Sequence, residues 1–159
     1  MKTLLFLLAL TAITLSSCKK SSSDTMVTAN LSGTIDGTSR TFNNSLTGSL
    51  STSGGSQGLQ IVGWSGTAGS SDALYINVLS IGTITAKTYA EGAGAGIQFI
   101  VGGATSYANG LSATNPISIT ISSISAHNAT GTFQGDIFLN GNSSSTKKVL
   151  TNGSFNVTF

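Results

Sequence analysis

Charge is what this chain has least of. Only 8% of its 159 residues are Asp, Glu, Lys or Arg, against about a quarter in an ordinary globular domain. It has one histidine, one cysteine, one proline and one tryptophan. A lone cysteine excludes a disulfide framework within the chain. One histidine with no second cysteine is too few soft ligands for a transition-metal cage, and no cofactor motif is present. The open alternative is a weak Ca²⁺ site built from an aspartate and backbone carbonyls. A Ser-His-Asp triad would have to use His127, which lies in "SAHNATG", a turn-like stretch with no second catalytic role beside it. The acids are Asp24, Asp36, Asp72, Glu91 and Asp136. A glycosidase pair needs two carboxylates about 5 to 9.5 Å apart. Asp36 and Asp72 read as turn residues, and Asp136 is expected to face solvent, since its parity is opposite to that of Phe133 and Ile137. The net charge is +2, with no basic footprint for nucleic acid. No catalytic residues are expected. The glycines of "EGAGAGIQF", Glu91 to Phe99, precede a strand pattern and not a helix, so a flexible hairpin loop is expected there and not a phosphate cradle.

The lone cysteine has a context of its own. Lys2 is followed by an apolar run from Leu4 to Leu15. That run is shorter than the roughly 20 residues a membrane-spanning helix needs. Its proportions are those of a secretory signal peptide. In place of the usual small-residue cleavage site stands Leu15-Ser16-Ser17-Cys18, which resembles a bacterial lipobox. Cleavage before Cys18 would make residues 1–17 a lipoprotein signal peptide. Cys18 would then be the lipid attachment site, with diacylglycerol on its sulfur and an acyl chain on its amine. Each buried CH₂ contributes about 0.8 kcal/mol, so one chain holds marginally and several hold stably. The expected partner is therefore the membrane, reached through a lipid anchor. Lys19 after the cysteine is unlike the acidic signal for inner-membrane retention, which favours the outer membrane and leaves its periplasmic or surface face open. Residues 18–25 form a Ser-rich tether without apolar periodicity. Asp24-Thr25-Met26 makes Thr25 a candidate O-glycosylation site.

What the rest of the chain has in abundance is alternation. Leu31, Gly33 and Ile35 alternate with Ser32 and Thr34, and the hairpin dipeptide Asp36-Gly37 follows. The short run Arg40-Thr41-Phe42 reads as a return strand. Leu46 to Leu50, Leu59 to Trp64, Leu74 to Val78, Ile84 to Tyr89 and Ile97 to Val101 read as further strands. Ile117 to Ile121 enters from Pro116, where a missing N–H does least harm. Phe133, Ile137 and Leu139 share one face of the next run, Asn140-Gly141 turns the chain, and Val149, Thr151, Gly153, Phe155, Val157 and Phe159 share one face of the last. Residues 26–159 are therefore expected to form a single all-β domain. The expected architecture is an antiparallel β-sandwich of about 8–10 short strands, with a closed β-barrel as the alternative.

The order of features resembles that of a family of small Bacteroidota lipoproteins with a domain of unknown function. The resemblance is carried by the lipobox, the strand-turn "MVTANLSGTIDGTSRTF", Lys87-Thr88-Tyr89, Ala129 to Gly135 and Thr151 to Phe155. It implies an envelope location and an all-β fold.

Trp64, Tyr75, Tyr89 and Tyr107 are the candidate ligand contacts. Trp64 shares its parity with Val62, and Tyr75 with Leu79, so core packing is the simpler expectation for both. The function expected from the sequence is a cell-envelope lipoprotein with a non-catalytic β-domain in a binding or structural role. A carbohydrate-binding accessory lipoprotein is the alternative, and a hydrolase the least favoured. The partner beyond the membrane would be a glycan or a protein.

Overall fold

A computed structural model of the protein describes residues 28–112 and 114–159. Eleven strands lie among them. They are β1 (Asn30–Ile35), β2 (Thr38–Thr41), β3 (Asn44–Ser53), β4 (Ser56–Trp64), β5 (Ala73–Ile81) and β6 (Thr88–Ala90), followed by β7 (Ala95–Val101), β8 (Thr105–Ala108), β9 (Ser118–Ile124), β10 (Asn128–Leu139) and β11 (Lys147–Thr158). The all-β antiparallel class follows from the period-two pattern, because alternation gives each strand one face to bury. Along one continuous sheet the order is β2-β1-β11-β10-β8-β7-β5-β4-β3, with β9 also paired to β10 and β6 to β9.

The sheet curls into a half-barrel. Leu31 of β1 reaches Gly63 of β4, while Val157 of β11 and Phe159 reach Gly48 of β3. Phe42 meets Phe99 of β7 edge to face, with ring centroids 6.0 Å apart. One core fills the interior. It includes Leu31, Phe42, Ile61, Ile76, Phe99, Ile119, Phe133 and Phe155. The β1–β2 hairpin turns on Asp36 and Gly37, both at positive φ (49° and 77°), as the tight mirror-image turn requires. β11 is interior to the sheet, paired with β1 on one side and β10 on the other.

A bulge in β11 breaks its alternation. The register between β10 and β11 shifts between Phe133 and Gly135, where Gly135 has φ 136° and Asn152 has φ 50°. A bulge adds one residue to one strand and inverts the parity beyond it. Leu150, not Val149 or Thr151, is therefore the core residue at the start of β11; it is 1% exposed. β10 keeps its parity, with Phe133, Gly135 and Ile137 all on the core side, so Asp136 does lie on the opposite face; it is nevertheless buried, because that face is covered. Before the bulge β10 pairs with β9; after it, with β8. There the segment through Gly110 and Asn115 covers the outer side, so both parities are enclosed and Phe138 is buried as well.

One strand was not expected, and two further expectations change. β8 has a single large side chain, Tyr107, and its alternation is too short to stand out in the sequence. The strand expected from Ile84 onward is only Thr88–Ala90, with Ile84 buried ahead of it. Glu91 to Gly94 is not a hairpin loop, because β6 pairs with β9 and β7 pairs with β5 and β8.

Candidate functional site

Core-facing residues of β4 and β5 are Leu59 and Ile61, and Leu74, Ile76 and Val78. The opposite parity forms the outer face. Cross-strand register sets it out in rows: Thr47, Val62, Tyr75 and Gln98 make one, and Ser49, Gln60, Asn77 and Gly96 the next. Trp64 lies one step beyond Val62 on the same face of β4. It meets Tyr75 edge to face, with centroids 6.4 Å apart and planes at 73°. Both rings are half-buried and outside the core cluster. The core packing expected for them is thus corrected: they stand on the outer surface, side by side.

Amides adjoin the rings. Gln60 Nε2 donates to Asn77 Oδ1 at 3.2 Å, and Gln98 Nε2 donates to Ser106 Oγ at 2.9 Å. An amide has two N–H donors and a carbonyl acceptor. The Asn77 Nδ2 group and the Gln60 and Gln98 carbonyls make no hydrogen bond among the described residues. A shallow groove of about 600 Å³ runs across the second row, walled by Ser49, Ser51, Gln60, Asn77 and Leu79, with Gly58 and Gly96 leaving bare backbone between them; Trp64, Tyr75 and Gln98 lie beside it on the same face. None of these face positions is charged.

The other candidate aromatics point elsewhere. Tyr89 is 4% exposed within the core, its hydroxyl donating to Thr85 O and accepting from Thr85 N. Tyr107 is half-buried against the core, with Lys148 Nζ 4.9 Å from its ring centre. Cys18 and Thr25 lie outside the described residues.

Each described acid ties a loop to the sheet. Asp36 accepts from Lys148 Nζ and Val149 N, both at 2.9 Å. Partial burial pushes its carboxyl up, but those hydrogen bonds and the charges of Lys148 and Arg40 outweigh burial and hold it below the ordinary carboxylate value. Asp72 pairs with Arg40 and accepts from Gly102 N at 2.8 Å. Glu91 clamps both ends of one segment, accepting from Leu111 N at 2.9 Å and Ile117 N at 3.1 Å. Asp136 accepts from Asn115 Nδ2 and Lys147 Nζ, both at 2.8 Å. His127 is exposed in the β9–β10 turn, and its carbonyl accepts from Phe159 N at 2.9 Å. Among the described residues no three His, Cys, Asp or Glu side chains converge as metal ligands would.

Gln60, Asn77 and Gln98 are the face residues that sequence reasoning missed. Their signal was present: Asn77 alternates in step with Tyr75, and Gln60 with Trp64. Amides on the parity of the aromatics mark a solvated face, not a core one. Comparison with family models, with curated proteins and with solved structures finds no match to this chain.

Proposed function

We propose that the protein is a bacterial outer-membrane lipoprotein, anchored through Cys18, whose β-domain is a non-catalytic binding module. The anchor rests on the apolar leader and the lipobox-like Leu15-Ser16-Ser17-Cys18. One observation carries the non-catalytic reading: Asp36, Asp72, Glu91 and Asp136 each accept hydrogen bonds that fasten backbone or pair a nearby cation. A general acid or base needs a free edge toward substrate, whereas both oxygens of each of these carboxylates already accept a hydrogen bond. The outer face of β4, β5 and β7 has the opposite character, with rings and amides whose bonding capacity is unfilled.

Phase partitioning of the full chain, expressed in a bacterium that processes lipoproteins, tests the anchor. The protein should enter the detergent phase and carry acyl chains on Cys18 by mass spectrometry. Cys18→Ala should remain aqueous with its leader uncut. Recovery of Cys18→Ala in membranes at full yield would refute the anchor.

A further inference from the structure

We infer that the outer face of β4, β5 and β7 is a binding groove for a neutral glycan chain, with Trp64 and Tyr75 as its stacking platform and Gln60, Asn77 and Gln98 as its hydrogen-bonding rim. This inference rests on the reading of the β-domain as a binding module and names its ligand class.

The chemistry of the face selects the ligand. A pyranose ring has apolar C–H faces and a rim of hydroxyls that both donate and accept. Aromatic rings match the first feature, and amides, which also donate and accept, match the second. The face has no Lys or Arg to hold a phosphate or a uronate, and no acid to hold a cation. Extended peptides bind sheets by adding to an open edge, but β4, β5 and β7 are each paired on both sides. From Gly58 to Trp64 the face runs about 20 Å along β4 at about 3.3 Å per residue, room for several linked rings. The Trp64–Tyr75 contact fixes the platform before any ligand arrives, which lowers the ordering cost of binding.

Other clefts lack this combination: one of about 580 Å³ is lined by Lys87 and by Tyr89, which is buried, and one of about 440 Å³ is lined by Arg40 with no ring. One of about 320 Å³ beside the β11 bulge is lined by Ser118, Thr120, Thr132 and Asn152 but has no exposed ring among its polar groups. Another of about 400 Å³ holds Asp136 and Lys147, which already pair with each other.

Trp64 is the only tryptophan of the chain and stands on the same face of β4 as Gln60, so its fluorescence reports on the ring platform beside the groove. The full-length protein, in a polyoxyethylene detergent to avoid sugar headgroups, would be titrated with four neutral hexasaccharides: β-1,4-glucan, β-1,4-xylan, β-1,4-mannan and α-1,4-glucan. At least one should shift Trp64 emission and shield it from acrylamide, equally at low and high salt, because no charge is involved. Tyr75→Ala should raise the Kd about tenfold or more. Gly96→Leu should do the same by filling the groove. The strand tolerates it, since a Cβ at Gly96 would meet Asn77 Cβ at 3.6 Å, an ordinary contact. Thr132→Ala, in the other polar cleft, should change nothing. No response to any of the four sugars would overturn the inference. So would binding indifferent to both Tyr75→Ala and Gly96→Leu, or salt-sensitive binding of a hexagalacturonate in place of the neutral chains. Phase partitioning of the wild-type protein, read beside its sugar binding, separates the two proposals. Absent binding in a wild-type protein that enters the detergent phase sinks the glycan groove alone. Intact binding in a wild-type protein that stays aqueous sinks the anchor alone.

Discussion

Replacing Asp136 probes the place where the alternation fails. Its carboxylate is 1% exposed, with Asn115 Nδ2 on one oxygen and Lys147 Nζ on the other, each at 2.8 Å. Asp136→Ala strands the Asn115 amide under a covered segment. An unsatisfied buried donor costs about 1–3 kcal/mol, and the small void left by the carboxyl group adds to it, for a total of about 2–4 kcal/mol. Lys147 contributes little to this figure. Its side chain is 50% exposed and rehydrates when released, so Lys147→Ala should cost less than about 1 kcal/mol. Asp136→Asn keeps one carbonyl to accept from Asn115 and should fall between the two. The predicted order of loss is Asp136→Ala, Asp136→Asn, Lys147→Ala. Urea unfolding followed by Trp64 fluorescence and circular dichroism measures it. In a domain of this size the alanine variant should melt about 8–15 °C lower. An Asp136→Ala protein within about 0.5 kcal/mol of wild type, or a Lys147→Ala protein equally damaged, would refute this account of the site.

Phe155→Ala should cost about 3–5 kcal/mol, because Phe155 is 3% exposed and its ring lies against the bare backbone of Gly131; an unchanged melting temperature would show that the inner face of β11 does not close the core. Asp36 is held below its ordinary value of 3.8, so its contribution is present above pH 3.8 and disappears as pH falls through the lower folded value. Asparagine tolerates the same positive φ, which makes Asp36→Asn a clean removal of charge. The stability gap between wild type and Asp36→Asn, below about 1 kcal/mol for so exposed a pair, should be constant at neutral pH and narrow under acid titration; a gap that widened in acid would reverse the assignment.

Strand identity was legible wherever alternation ran for five residues or more. Parity alone points Ile76, Ile119, Phe133 and Phe155 into the core, and all four are buried. Asp36-Gly37 announced its hairpin because few dipeptides accept two positive φ values. The bulge was not legible. A bulge inserts one residue without changing composition, so the parity of Val149 was read through a break that leaves no local mark, while Asp136 is buried by a segment lying over its outer side, which parity does not report. Cross-sheet partners were also hidden: nothing in Thr88–Ala90 says that it pairs with β9 and not with the following strand. Trp64 and Tyr75 were taken inward because large aromatics usually bury and because Val62 and Leu79 share their parity. Leu79 is 61% exposed. The amides of the same rows were the better guide, since an unpaired buried amide costs more than an exposed Leu.

The anchor and the groove also bear on each other. A shallow neutral face that stacks sugar rings gains nothing from long-range electrostatics, and a small number of weak hydrogen bonds cannot make a single site tight. Such a site is useful where many copies meet one long ligand. The proposed lipid anchor would supply that arrangement, because copies held in one membrane plane would face a polysaccharide together, and each bond formed would raise the effective concentration for the next. Low charge then becomes functional as well as compositional. With its described acids fastened to loops, the domain presents an uncharged face, and an uncharged face suits a ligand with neutral repeats along its whole length.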